Sequence, residues 1–73
     1  MPPVRIDAAH QIGETAGAIW HFLNDHGPVP VSKLAKELDQ PKETILQGLG
    51  WLAREGKIEY RPGKGNSKLV GLT

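Results

Sequence analysis

No cysteine occurs anywhere in the 73-residue chain. That excludes disulfide staples, thiolate metal sites and cysteine nucleophiles. Aromatic residues are scarce: two Trp, one Tyr and one Phe. The interleaved aromatic and basic pattern that suits single-stranded or RNA ligands is therefore missing. No apolar run approaches the roughly 20 residues needed to cross a bilayer, so no membrane partner is expected. The Met1-Pro2-Pro3 start has no basic region followed by an apolar stretch, which argues against a secretory signal and for a cytoplasmic location. Serine occurs only as Ser32 and Ser67, placed by pattern in a helix cap and a turn, so no Ser–His–Asp arrangement can be built. His10, His21 and His26 follow no metal-ligand spacing. The glycines lack the following lysine and Ser/Thr of a phosphate loop. No enzyme activity, metal or cofactor is expected.

What is present fits one small domain, with 38% hydrophobic and 23% charged residues. A chain of this length buries a modest fraction of its surface and is marginal as a lone monomer. The net charge of +1 is uninformative, but its distribution is not. Residues 1–53 carry four bases against six acids, whereas residues 54–73 carry five bases against two acids. A basic C-terminal end points weakly to an anionic partner.

Residues 1–9 read as an N-terminal arm, with Pro2 and Pro3 opposing a helix. The domain proper is 10–73. A helix is expected from His10 to Asp25, with Ile12, Ala16, Ile19, Trp20 and Leu23 on one side and Glu14, Ala18, His21 and Asp25 opposite. Gly27 and Pro28 stop it. Val29-Pro30-Val31 reads as a short edge strand. Ser32 is placed as the N-cap of a second helix, Lys33 to Leu38, that buries Leu34, Ala35 and Leu38. Asp39 and Gln40 make a tight turn. Pro41 opens a third helix running to Glu55, with Ile45, Leu49 and Leu52 as its core stripe and Leu46 and Ala53 flanking. Beyond Gly56 the period changes to two. Lys57 to Arg61 is a strand with Ile58 and Tyr60 on one face, Pro62 to Ser67 a turn, and Lys68 to Leu72 a strand whose apolar residues leave its register open.

Helix, short strand, helix, tight turn, helix and hairpin is the layout of a winged helix-turn-helix domain. The run Leu34-Ala35-Lys36-Glu37-Leu38, then Ile45, Leu49, Leu52, Gly56 and Ile58, resembles the recurring core pattern of that superfamily. Asp39 stands where the turn usually has glycine. Ile12-Gly13-Glu14-Thr15-Ala16-Gly17 together with Gly48-Leu49-Gly50-Trp51-Leu52-Ala53-Arg54-Glu55 resembles a family of small stand-alone winged-helix proteins from bacteria and archaea. That family has a defined fold and no established function. The resemblance implies an α+β fold of three helices plus a small antiparallel sheet ending in a β-hairpin wing. Through the wider superfamily it implies DNA binding and transcription regulation.

The outward side of the third helix is expected to carry Glu43, Thr44, Gln47, Gly50, Trp51 and Arg54, with Lys42 at its start. Gln47 suits adenine, Arg54 suits guanine or a phosphate, and Thr44 a phosphate or a thymine methyl. Arg61, Lys64 and Lys68 around a tip containing Asn66 and Ser67, with Lys33 on the second helix, suit the DNA backbone. The competing reading is a solvated helix face and a hairpin whose lysines keep its edge soluble. Trp51 supports a different alternative, a protein-interaction module or homodimer anchored by an exposed tryptophan, unless another part of the chain covers it. Gly13, Gly17, Gly48 and Gly50 each cost about 0.5–1 kcal/mol inside a helix relative to alanine. Close approach of something to those helices is the expected compensation.

Overall fold

A computed structural model describes residues 7–65 and 67–73. The arm residues 1–6 and the wing residue Asn66 lie outside the described residues. Three helices, α1 (Ala8–His26), α2 (Val31–Glu37) and α3 (Lys42–Arg54), combine with β1 (Val29–Pro30), β2 (Ile58–Pro62) and β3 (Lys68–Leu72). The sheet is antiparallel in the order β1-β3-β2.

α1 begins earlier than its apolar period indicates, because Asp7 is its N-cap. The Asp7 side chain accepts a hydrogen bond from the Ala9 N–H at 3.0 Å. Ala16, Ile19 and Leu23 of the expected stripe are buried; Ile12 and Trp20 are half-buried. Gly27 ends the helix with φ 78°, its N–H donating to the Leu23 carbonyl at 2.8 Å.

The start of α2 corrects the sequence reading. Pro30, with φ −64° and ψ 151°, is the capping residue, and Ser32 lies inside the first turn with no capping hydrogen bond from a side chain. Proline at this point fixes φ and lacks only an N–H that would have no partner within α2. At seven residues, α2 is too short to persist alone. It is held by Leu34, which is fully buried, and by half-buried Ala35 and Leu38. The turn that follows places Asp39 at φ 52°, with the Gln40 N–H reaching back to the Ala35 carbonyl at 3.1 Å. Aspartate tolerates the left-handed conformation better than most side chains, so it replaces the usual glycine there. Pro41 likewise caps α3 rather than occupying its first turn.

α3 buries Ile45, Gly48, Leu49 and Leu52. Leu46, expected beside the core, is 47% exposed. Gly48 is the crossing point with α1: a Cβ there would sit 2.8 Å from Ile19 Cδ1 and 3.0 Å from Thr15 Cγ2. Glycine suits this residue because an added methyl would push the Ile19 and Thr15 side chains and crowd the Ala16 N–H at 3.3 Å.

The hairpin register pairs Ile58 with Leu72, Tyr60 with Val70 and Pro62 with Lys68. Val70 is fully buried and faces the core with Ile58. The apolar residues on the opposite side of β3 are also explained. Pro30 pairs with Leu69, and Pro28 Cγ lies 3.0 Å from where a Gly71 Cβ would be, so the β1 segment shields that face. At the base of the hairpin Thr73 Oγ1 donates to the Gly56 carbonyl at 3.0 Å, and the Thr73 N–H donates to the Lys57 carbonyl at 3.1 Å.

Candidate nucleic-acid interface

α3 lies between two different neighbours, and its side chains divide accordingly. On one flank, Lys42 and Leu46 face the wing. They line a groove of about 500 Å³ with Ser32 from α2 and Tyr60 and Lys68 from the hairpin. Alternation along β2 places Tyr60 on the same face as Ile58, one step beyond the core, where it is 52% exposed. The Lys68 Nζ sits 5.2 Å from the Tyr60 ring centroid, a cation–π distance that orients the ammonium along the groove. Among the described residues, the groove lining holds two lysines and no carboxylate. α3 has no side-chain cap, so its first N–H groups add partial positive charge at the Lys42 end.

On the other flank, Trp51 turns toward α1. Its ring carbons lie 3.6 and 3.8 Å from the position of a Gly13 Cβ, and it forms one wall of a trough of about 410 Å³ with Gly13, Gly17 and Trp20. It remains 38% exposed. Trp51 is exposed, as expected, at the edge of the face that carries Gln47 and Arg54, and the α1 crossing at Gly48 brings Gly13 beneath its ring. Thr44, seven residues earlier and so on the same side of the helix, is half-buried. The fully open face between the flanks carries Glu43, Gln47, Gly50 and Arg54, all exposed.

The remaining basic candidates separate as well. Arg61 alternates to the far face of the hairpin. Its guanidinium is paired with Glu59 at 3.0 Å and donates to the Leu72 carbonyl at 3.2 Å. It is thus not brought together with Lys42 and Lys68. Lys64 is exposed at the wing tip, where its carbonyl accepts from the Ser67 hydroxyl at 2.7 Å. Lys33 is exposed on the first turn of α2. Sequence reasoning assigned no site role to Ser32, Leu46 or Tyr60. The signal for Tyr60 was available in its period-two placement; those for Ser32 and Leu46 depend on how α2 and the wing flank α3. Among the described residues, no group of three or more His, Asp or Glu side chains comes together to hold a metal ion, and no helix is long and apolar enough to cross a membrane.

A helix-turn-helix unit followed by a hairpin that extends its cationic side defines a winged helix-turn-helix domain. The chain belongs to the winged helix-turn-helix family DUF2582, whose model matches residues 8–70. It is 41% identical over 51 residues to the uncharacterized protein MJ1608 of Methanocaldococcus jannaschii, covering 66% of this chain and 71% of that one. Among solved structures, the fold is similar to the Zalpha domain of Carassius auratus PKZ in complex with Z-DNA, with TM-score 0.73, 21% identity and coverage of 85% of this chain and 97% of that domain. It is also similar to NMB1585, a MarR family regulator from Neisseria meningitidis, with TM-score 0.71, 24% identity and coverage of 81% of this chain. This chain spans 43% of that regulator's length. At these identities the two structures establish the fold.

Proposed function

We propose that this protein is a non-catalytic DNA-binding module acting in transcription regulation, with α3 entering the major groove of a duplex and the wing running along the backbone. The observation that carries this reading is the groove in which Lys42 and Lys68 converge beside Tyr60 and Ser32 with no opposing carboxylate in its lining. Phosphate binding needs cations and hydroxyl donors on one side of the fold, and the turn and the hairpin register deliver them from three separate elements. Gln47 and Arg54 on the open face of α3 contact base edges. Lys33 and Lys64 extend the backbone contacts at either end. The fold likeness to a domain in complex with Z-DNA supports the same class of ligand, and the likeness to a MarR family regulator supports a regulatory role.

The test is a titration of isotope-labelled protein with a mixed-sequence duplex at low and moderate salt, followed by NMR. The expected result is amide shifts at Lys42, Gln47, Tyr60 and Lys68 that weaken as salt rises. No shifts at low salt would discard the proposal. The protein-interaction alternative draws on Trp51 and its trough. It is the weaker reading, because Trp51 already packs on Gly13 within the monomer.

A further inference from the structure

Two of the four helix-interior glycines have a reason within the fold, and two do not. Gly48 sits at the tight α1 crossing, and Gly13 lies under the Trp51 ring. At Gly17 and Gly50, by contrast, an added Cβ would meet nothing within 4 Å. Gly17 lines the trough beside α1. Gly50 is exposed in the middle of the open face of α3, one turn after Gln47 and one turn before Arg54. Neither of these two has a positive φ. A glycine in an exposed helix interior sacrifices stability relative to alanine, and nothing inside the domain compensates at Gly50.

We infer that Gly50 is the point at which the α3 backbone makes its closest approach to base-pair edges in the major groove of duplex DNA. The inference rests on the proposed function and assigns a positioning residue to it. A bare backbone allows a bound surface to come nearer by about the length of a Cα–Cβ bond, and close approach to a ligand is a recognised use of glycine. The neighbours give that approach a purpose. Gln47 and Arg54 are long side chains that reach base edges on either side of the notch. With Gly50 between them, the helix axis lies deep enough for both to engage at once. A methyl group at that position would lift the helix and lengthen both contacts. Gly50 itself makes no charged contact, so its contribution is steric and independent of salt.

The experiment compares Gly50→Ala, Gly50→Leu and the control Gly17→Ala with wild type, using a duplex enriched from a random-sequence pool by the wild-type protein. Thermal stability and affinity across a salt series are both read. Gly50→Ala is expected to raise Tm by roughly 3–6 °C, as removal of an unneeded helical glycine does in a domain of this size. It is also expected to weaken DNA binding about tenfold, and Gly50→Leu to weaken it further, with the dependence on salt unchanged. Gly17→Ala is expected to raise Tm comparably and leave affinity as it was. A Gly50→Ala protein that is more stable and binds equally well would overturn the inference while leaving the DNA-binding function intact. A Gly50→Ala protein that is less stable would overturn it in favour of a role within the fold. Failure of the wild type to enrich or bind any duplex would remove the proposed function and this inference together.

Discussion

The two flanks of α3 each present one half-exposed aromatic residue, and they use it in opposite ways. Toward α1, Trp51 lies on Gly13 and closes against apolar surface. Toward the wing, Tyr60 stands beside Leu46, with two lysines around it and the Lys68 ammonium over its ring. The first flank is anchored by a close helix crossing, where a methyl group at Gly48 would press on Ile19. The second is a groove walled by three separate elements. In so small a domain the two tasks of one helix, holding the fold together and offering a charged surface, are thus assigned to opposite sides. Substitutions on one side should register in stability and on the other in binding.

The sharpest break is Ile19→Ala. This side chain is fully buried and abuts the Gly48 crossing, so its truncation is expected to cost about 3 kcal/mol in denaturant unfolding. A loss below about 1 kcal/mol would mean that the α1 flank is not the stabilising one. Gly48→Ala comes next. The added methyl must displace Ile19 or part the helices, at a cost of roughly 1–3 kcal/mol; a stabilised variant would show that the crossing is looser than 2.8 Å implies. On the other flank, the double charge reversal Lys42→Glu with Lys68→Glu should leave unfolding within about 0.5 kcal/mol of wild type. Its duplex affinity at low salt should fall at least about tenfold, with a shallower salt dependence. Unaltered binding by that protein would detach the groove from DNA. Trp51→Ala is the smallest and the most discriminating change. It should cost about 1 kcal/mol of stability through lost apolar burial and leave both DNA affinity and self-association unchanged. Altered self-association, read by analytical ultracentrifugation, would instead favour an interface at the α1 flank.

The same contrast explains what was legible in the sequence. The centres of the three apolar stripes, the period change after Gly56 and the glycine that ends α1 follow from local chemistry and are where the pattern puts them, whereas Leu46 and Ala53 at the edge of the α3 stripe are exposed. What the pattern leaves out is decided by a distant segment. Ser32 looks like a better cap than Pro30, but Pro30 is drawn into β1 by pairing with Leu69, and the helix starts where that pairing ends. A helical wheel measures Trp51 from the Ile45–Leu49–Leu52 stripe and finds it far from the core. It does not include α1, whose path across Gly48 supplies a floor for the ring. The clue lay in the stability cost of Gly13 and Gly48, which only close packing offsets. At the candidate site Lys42 and Lys68 were legible as cations. That they share a groove with each other and not with Arg61 depends on hairpin alternation, which sends Arg61 to Glu59 on the opposite face.

β3 is the middle strand of the sheet although it comes last in the described chain. Val70, one of the most deeply buried residues, belongs to it. During synthesis from the N-terminus, α1, α2 and α3 are made before the strand that joins β1 to β2. Until then Val29 and Ile58 have no strand between them, and the helices face an open side. The sheet can therefore close only after residue 72 has been added. Nascent chains arrested behind C-terminal spacers of increasing length should acquire protease resistance once Lys68–Leu72 has cleared the exit tunnel.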